Sequence, residues 1–291
     1  MSRSGLVLEG GAMRGMFTAG VVDVFLENDV TFDGAVGVSA GAVFGCNIKS
    51  KQIGRAIRYN KRFCKNWHYG SLKSLLRTGD LYDADFCYEQ LPYELDPFDL
   101  KTYQANPMHF YVVATDAETG KPVYKDLREG GGIDMDWFRA SATMPIVSRP
   151  VEILDGKYLD GGISDSIPLT FMEKSGYDVN VVVLTQPEGY RKEPAKHEEA
   201  LRLALRQYPA VAERLICRHT FYNSQLDHVF RERDEGKTFV ITPPEALGIG
   251  SVTRDPDELE RVYQIGRKTM QEQLPALKEF LIEHETVETV K

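Results

Sequence analysis

Residues 36–41 read Val-Gly-Val-Ser-Ala-Gly, a G-x-S-x-G pattern centred on Ser39. The apolar run 34–38 predicts a short buried strand, and the small residues at 40–46 are suited to a helix that packs closely on a sheet. A serine at such a strand-to-helix corner is typical of a nucleophile elbow, in which the hydroxyl projects above the sheet and backbone N–H groups face any negative charge that develops. The pattern also occurs by chance in tight structural turns, so both interpretations are open at this point.

The glycine-rich loop 10–15, Gly-Gly-Ala-Met-Arg-Gly, lies upstream between a predicted strand at 4–9 and a predicted helix at 16–28. A strand–helix–strand–helix opening implies parallel strands with helices on both faces. As a dinucleotide fingerprint the loop would bind a phosphate, but Ala12 replaces the middle glycine and no acidic residue follows the second strand. We favour an oxyanion hole, whose N–H groups face a carbonyl oxygen held beside Ser39. A plain tight turn is the third interpretation.

A second candidate group follows a predicted hairpin over residues 151–159, with a two-residue turn at 155–156. The hairpin brings Asp160, followed by two glycines, to the point where a strand meets a loop, which is a usual place for catalytic groups. Asp-Gly-Gly is also a common turn sequence. The four histidines from residue 197 onward lie neither at a strand end nor beside glycines. The sequence therefore offers a serine and an aspartate, and no convincing histidine base.

Composition excludes several classes of function. The chain has 291 residues, is 42% hydrophobic and 27% charged, and carries a net charge of −8, which argues against general nucleic-acid binding. No apolar run approaches the roughly 18 residues that span a bilayer, and the N-terminus has no signal-peptide pattern, so we expect a cytoplasmic protein. The four cysteines are widely spaced and are expected to be reduced. No metal-ligand spacing or calcium loop is present, and we expect no metal and no cofactor.

One basic segment stands out against this acidic background. Residues 34–79 contain nine Lys or Arg and no Asp or Glu. Five of the cations follow helical spacing: Lys51, Arg55, Arg58, Arg62 and Lys65. This spacing predicts an amphipathic helix with one basic stripe. The basic stretch 49–77 is a candidate for transient, peripheral contact with an anionic membrane surface, and a solvated helix face is the alternative.

The rest of the sequence indicates a cap region and a helical C-terminal region. Residues 69–107 show little periodicity and predict a cap of short helices beside the site. The last third is mainly helical and is expected to cover one edge of the sheet. We therefore expect a catalytic domain over residues 1–190 and a mainly helical extension over residues 191–291 that packs on the same domain.

Taken in order, the three motifs resemble the patatin-like phospholipases and acyl hydrolases: the loop at 10–15, the serine corner at 37–41 and Asp-Gly-Gly at 160–162. In that family they are the oxyanion loop, the nucleophile elbow and the base of a Ser–Asp dyad. The resemblance covers about residues 4–185 and implies an α/β fold, a three-layer α/β/α sandwich with a mostly parallel central sheet. The implied site comprises Ser39 and Asp160, the oxyanion-loop residues Gly10, Gly11, Ala12, Arg14 and Gly15, and the supporting glycines Gly37, Gly41, Gly161 and Gly162.

The resemblance implies a serine hydrolase of lipid esters, of phospholipase A or lysophospholipase type. Its donors would be the N–H groups of Gly11, Ala12 and Ala40. The family's loop often has a third glycine at the position of Ala12, where an alanine would serve if its φ were negative. Arg14 would orient the loop, meet a phosphate or pair with a carboxylate. Acyl transfer to another acceptor, a non-catalytic lipid- or acyl-binding module and a dinucleotide-binding oxidoreductase are the alternative functions.

Overall fold

The computed structural model describes residues 2–286, so position 1 of the predicted catalytic domain and positions 287–291 of the predicted extension lie outside the described residues. This part of the chain contains eight strands, β1 (Ser4–Leu8), β2 (Gly34–Val38), β3 (His109–Asp116), β4 (Pro122–Asp126), β5 (Val151–Ile153), β6 (Gly156–Asp160), β7 (Val179–Val183) and β8 (Thr238–Ile241). Its α-helices are α1 (Gly15–Glu27), α2 (Ala40–Gly45), α3 (Asn47–Ser50), α4 (Arg55–Phe63), α5 (Leu72–Thr78), α6 (Leu100–Ala105), α7 (Ile133–Ser141), α8 (Leu169–Lys174), α9 (Glu198–Ala204), α10 (Pro209–Ile216), α11 (Arg218–Asp234) and α12 (Pro256–Thr286).

The eight strands form one mixed sheet in the order β5-β6-β3-β2-β1-β7-β8, with β4 also paired to β3. The five strands from β3 to β8 along this order are parallel, and the chain segments that connect them contain helices, as parallel pairing requires. Strands β4, β5 and β6 pair antiparallel, as short hairpin connections require. The predicted α/β fold with a mostly parallel centre is confirmed, and its antiparallel edge makes the sheet mixed.

Helices cover both faces of the sheet, which gives three layers. On β1, Leu6 and Leu8 belong to a large apolar cluster with residues of α1 and α12, whereas Val7 belongs to a second cluster with residues of α8 and α11. This division follows from the alternation of side chains along a strand. All three side chains are fully buried, so β1 forms the centre of the core.

The carboxyl ends of the central strands lie at one edge of the sheet. The register pairs Leu8 of β1 with Gly37 of β2 and with Val183 of β7. The glycine-rich loop after β1 and the serine corner after β2 are therefore neighbours at this edge. In open parallel sheets, ligands bind at this end of the strands.

Two local predictions need correction. The turn of the β5–β6 hairpin is Leu154-Asp155 and not 155–156, because Ile153 pairs with Gly156. Leu154 takes the positive φ of 53° that this turn demands. The continuous basic helix predicted from residue 51 is also wrong. Lys51 has a left-handed φ of 53° and ends α3, and α4 begins only at Arg55.

The predicted basic stripe is exposed at four of its five residues and buried at Arg55. Arg55 is 4% exposed, and its guanidinium donates to the main-chain carbonyl of Asp96 and to Asn47 Oδ1. Arg58 makes two hydrogen bonds of 2.8 Å to the Asp96 carboxylate. Lys61 pairs with Glu260 of α12 at 2.8 Å. Three of the nine cations in residues 34–79 are therefore partnered by carboxylates within the described part of the molecule.

A search of the helices within residues 2–286 finds none that is both long and apolar enough to cross a bilayer.

Candidate active site

Ser39 lies at a sharp corner between β2 and α2. Val38 is the last residue of the strand, Ala40 is the first residue of the helix, and Ser39 between them has φ 54° and ψ −120°. A non-glycine residue in this region is strained, and such strain persists only where the surrounding structure imposes it. The Ser39 N–H group donates to Ser141 Oγ at 3.0 Å, which fixes the corner to α7.

The two glycines of the elbow are required by close packing. A Cβ atom at Gly37 would lie 2.6 Å from the Cα atom of Ala42, and one at Gly41 would lie 2.3 Å from the carbonyl oxygen of Leu8. Both contacts are with backbone atoms, which cannot move aside as a flexible side chain can. The helix that follows Ser39 therefore packs directly on β1.

Asp160 ends β6 and faces the serine. Its Oδ1 accepts a hydrogen bond from the Gly162 N–H group at 2.7 Å. Burial raises the pKa of Asp160, whereas the neighbouring Ser39 side chain, the Gly162 N–H group and the nearby Arg218 guanidinium act in the opposite direction. A carboxyl group with a raised pKa is a stronger base near neutral pH. The structure therefore brings together the serine and the aspartate that the sequence singled out.

The two glycines after Asp160 also have little room. A Cβ atom at Gly161 would lie 2.1 Å from the carbonyl oxygen of Val113, and one at Gly162 would lie 3.0 Å from Arg218 Nη2. The end of β6 therefore lies directly against β3. An arginine of α11 likewise lies close to the aspartate.

The glycine-rich loop lies against the serine corner. A Cβ atom at Gly10 would be 3.0 Å from the Ser39 Cβ, and one at Gly15 would be 2.7 Å from the Ala40 Cβ. Gly11 lies between them at the start of a single 3₁₀ turn. This placement puts the loop directly beside the serine corner, which is compatible with the predicted oxyanion hole.

Ala12 has a φ of 50°, so the negative φ that is the condition for an alanine to serve at this position is not found. The left-handed conformation costs an alanine roughly 1–2 kcal/mol and costs glycine almost nothing. The position is therefore one where glycine would fit better. The donor is a backbone N–H group, which alanine also provides.

Glu9 is a residue of the site that the sequence reasoning did not select. It is buried directly before the loop, where it accepts hydrogen bonds of 2.6 Å from the Thr185 N–H group and from the Tyr222 hydroxyl. It thereby ties the start of the loop to β7 and to α11. An acidic residue at the end of a fully apolar strand was the available signal, but its partner in α11 is 213 positions away.

A cavity that is open to solvent lies beside Ser39. Ala12 of the loop forms part of its wall, and most of the remaining wall is apolar, with Phe44, Leu91 and Phe138 among its side chains. Residues from the predicted cap contribute to this wall, and no histidine of the described chain lines it. A cavity with a largely apolar wall is suited to a small organic ligand or an alkyl chain.

Glu173, His228 and Glu232 are the one group within residues 2–286 whose side chains could together hold a metal ion. They lie on α8 and α11 and take no part in the cavity wall. Arg231 Nη2 is 2.6 Å from His228 Nδ1, and Lys237 pairs with Glu232 at 3.6 Å. These cations already compensate the carboxylates, and the cluster has no contact that links it to Ser39.

Comparison with known proteins gives a family for most of the chain. Residues 6–172 match the model for patatin-like phospholipases, and residues 208–282 match the model for a domain of unknown function (DUF6363). The uncharacterized protein YjjU of Escherichia coli is 31% identical over 281 residues, which cover 91% of this chain and 75% of that protein.

More distant relatives are longer than this chain. An uncharacterized NTE family protein of Mycobacterium bovis is 26% identical over 198 residues, covering 68% of this chain and 52% of the relative. Lysophospholipase nte1 of Aspergillus terreus is 23% identical over 300 residues, covering 94% of this chain and 18% of the relative.

Proposed function

The chain belongs to the patatin-like phospholipase family, and we propose that it hydrolyses lipid esters as a phospholipase A or lysophospholipase, with Ser39 as the nucleophile and Asp160 as the base. The observation that carries the proposal is that the Ser39 side chain lies close enough to the buried Asp160 carboxylate to lower its pKa, with no histidine among the described residues that line the adjoining cavity. Nucleophilic catalysis by serine needs a base within hydrogen-bond reach. The name of the fungal relative, lysophospholipase nte1, agrees with this class of substrate.

In the first half of the proposed reaction, Ser39 Oγ attacks the ester carbonyl carbon while Asp160 takes the hydroxyl proton. The N–H groups of Gly11, Ala12 and Ala40 bind the oxyanion of the tetrahedral intermediate. When the intermediate collapses, the bond to the alcohol oxygen breaks and the alcohol leaves with the proton from Asp160. The acyl group remains on Ser39.

In the second half, a water molecule attacks the acyl-enzyme and Asp160 accepts a proton from it. Collapse of the second intermediate releases the fatty acid and returns the proton to Ser39 Oγ. The cavity beside Ser39 would hold the acyl chain throughout, because most of its wall is apolar.

The proposal includes a membrane contact, centred on α5 rather than on the stripe of α4. Leu72 and Leu76 are 73% and 87% exposed on α5, which is unusual for leucines on one short helix. Lys73 and Arg77 lie over the ring of Trp67, at 4.4 and 5.4 Å from its centroid. Exposed leucines beside cations and a tryptophan are suited to the interface of an anionic bilayer.

Cosedimentation with phosphatidylglycerol vesicles tests this contact. The double variant Leu72→Ser, Leu76→Ser should bind these vesicles more weakly, and Leu203→Ser, whose leucine is 69% exposed on α9, is the matched control. Equal binding by the wild type and the double variant would refute the contact at α5.

The catalytic proposal is tested by fluorophosphonate labelling and by hydrolysis of a lysophospholipid. We expect Ser39→Ala and Asp160→Asn each to reduce hydrolysis by about 1000-fold or more, since each removes a partner of one proton transfer. Ser251→Ala and Asp155→Asn replace exposed residues of the same types and should be fully active.

The same measurements separate the alternatives. Vesicle binding without labelling or hydrolysis would favour a lipid-binding module. Binding of a nicotinamide or flavin cofactor would favour an oxidoreductase. Loss of activity in His219→Gln comparable to that in Asp160→Asn would refute the dyad.

A further inference from the structure

Three cations from separate parts of the chain converge behind the oxyanion loop. Arg14 lies in the 3₁₀ turn that follows Gly11, and its Nη2 is 3.2 Å from the position of a Cβ atom on that glycine. Lys192, in the loop after β7, places its Nζ 4.9 Å from the centroid of the Tyr222 ring. Arg218 begins α11, and its Nη2 lies 3.0 Å from a Cβ position on Gly162. We call Arg14, Lys192 and Arg218 the cationic cluster.

The cluster has little internal compensation. Within residues 2–286, the Nε atoms of Arg14 and Arg218 are buried without a hydrogen-bond partner. Arg218 donates to the neutral Ser166 hydroxyl at 3.2 Å. In the same described part of the chain, neither Arg14 nor Lys192 forms an ion pair with a carboxylate.

Two carboxylates lie nearby, and both already have partners. Glu9 is close enough to act on the Lys192 charge, but its oxygens accept from Thr185 and Tyr222. Asp160 lies near Arg218 and beside Ser39, and it accepts a hydrogen bond from the Gly162 N–H group. Burial, Arg218 and Arg14 together lower the pKa of Lys192 to about 8, and Glu9 only partly opposes them. An additional negative charge would therefore be stabilised here.

The cationic cluster lies outside the apolar cavity. Ser39 and Ala12 line the cavity, whereas none of the three cations does. Arg218 is nevertheless close enough to Asp160 to lower its pKa, so the cluster adjoins the reacting groups. An ester bound with its carbonyl carbon at Ser39 extends in two directions, through its acyl chain and through its alcohol. If the cavity takes the acyl chain, the alcohol must lie outside the cavity, where the cations are.

We propose that the cationic cluster binds a phosphate group carried by the alcohol half of the substrate, with Lys192 and Arg218 as specificity-determining residues. This inference rests on the proposed function. Guanidinium groups bind phosphate oxygens through paired N–H donors, and an ammonium group adds a compact charge. Both specificity residues lie beyond residues 6–172 that match the family model, so the C-terminal part of the chain helps to select the substrate.

The first test measures selectivity. It compares kcat/KM for lysophosphatidic acid with kcat/KM for an uncharged p-nitrophenyl ester of the same fatty acid. In the double variant Lys192→Met, Arg218→Met the ratio should fall by about 100-fold, about tenfold for each cation removed. This effect should appear mainly as a higher KM for the phosphate ester. Lys196→Met and Arg206→Met, which replace exposed cations of neighbouring segments, should leave both activities unchanged.

The second test needs no turnover. In the Ser39→Ala background, sn-glycerol 3-phosphate should raise Tm, glycerol should not, and the double variant should lose the shift. Inorganic phosphate distinguishes the sources: an equal shift with an unchanged selectivity ratio would mean a site for free phosphate and would overturn the headgroup assignment. No shift in the Ser39→Ala protein would overturn the anion site itself.

The two proposals fail separately. If the wild type neither reacts with a fluorophosphonate nor hydrolyses either ester, the proposed function fails, and the Tm measurement still decides the anion site. If the wild type hydrolyses both esters and the double variant retains the wild-type ratio, the function stands and the cationic cluster has no role in selecting the substrate.

Discussion

The C-terminal part of the chain contacts the rest of the molecule at two places. They differ in whether their charged and polar side chains have partners. Where α12 packs on α1, Asp23 accepts from the Tyr263 hydroxyl at 2.7 Å, and Glu27 forms two hydrogen bonds of 2.8 Å with Arg267. The second place is where helix α11 and the loop that follows β7 lie beside the active site. The cationic cluster there forms no ion pair with a carboxylate in the described part of the chain. The side chains of the first interface are paired, as in the interior of a domain. Those of the second include unpaired cations, as in an anion-binding site.

The backbones come unusually close at the first interface. A Cβ atom at Gly20 of α1 would lie 2.2 Å from the carbonyl oxygen of Tyr263, and one at Gly266 of α12 would lie 2.1 Å from the carbonyl oxygen of Phe17. Such an approach needs a glycine on each helix. The C-terminal segment therefore has two roles, since paired charges and close packing fix its position while unpaired charges remain available to a ligand.

The largest expected effect on stability is at the first interface, between α1 and α12. Gly20→Ala should lower the free energy of unfolding by about 3 kcal/mol, because the new methyl group forces α1 and α12 apart, which outweighs the higher helix propensity of alanine. Thermal unfolding should show Tm lower by about 6–12 °C. Gly250→Ala, at a glycine whose nearest atom would be 3.4 Å from the new Cβ, is the control. An unchanged Tm in Gly20→Ala would mean that the two helices are not packed closely together.

The second prediction concerns Asp23 at the same interface. Burial raises its pKa to about 6, although Tyr263 and the Gly54 N–H group donate to it. A carboxyl group with a raised pKa stabilises the fold while protonated, and this contribution is lost as the pH rises through about 6. Asp23→Asn should therefore be more stable than the wild type at pH 8 by about 2 kcal/mol, and this advantage should disappear at pH 4.

Urea unfolding at several pH values measures this difference, with Asp29→Asn at an exposed position as the control. If Asp23→Asn were less stable than the wild type at pH 8, the ionised carboxylate would be contributing to the interface.

These two interfaces also separate what could be predicted from the sequence and what could not. The strand–loop–helix opening and the corner at Ser39 are local patterns, and the resemblance placed Asp160 beside them. The burial of Arg55 depends on Asp96, 41 positions away, and the site role of Glu9 depends on Tyr222. A charge pattern read along one segment cannot reveal partners that only the folded chain brings close.

The left-handed φ of Ala12 could not be predicted for a related reason. Backbone sterics disfavour this conformation for alanine, and only the packing around the loop imposes it. The glycines at 37 and 41 belonged to a recognisable pattern, whereas an alanine in the same kind of position gives no local signal. Sequence reasoning therefore predicted the loop's place and not its conformation.

The smallest expected effect on stability is at the second interface, whose cationic cluster is unpaired within the described chain. A lysine can be removed there without breaking an ion pair. Burial and the neighbouring arginines lower the pKa of Lys192 to about 8, so its charged form is disfavoured in the folded protein. A lysine with a lowered pKa stabilises the fold only when neutral, and this contribution is lost as the pH falls through about 8. Lys192→Met should therefore be more stable than the wild type at pH 7, by about 1 kcal/mol because the side chain is partly solvated.

The gain should become smaller between pH 7 and pH 9.5, and Lys196→Met, in the same loop but exposed, should show none. Saturating sn-glycerol 3-phosphate should remove the gain at pH 7, because the bound anion would stabilise the wild type and not the variant. A lower Tm for Lys192→Met at pH 7 would show that this lysine is held by a favourable internal interaction, and the contrast between the two interfaces would then disappear.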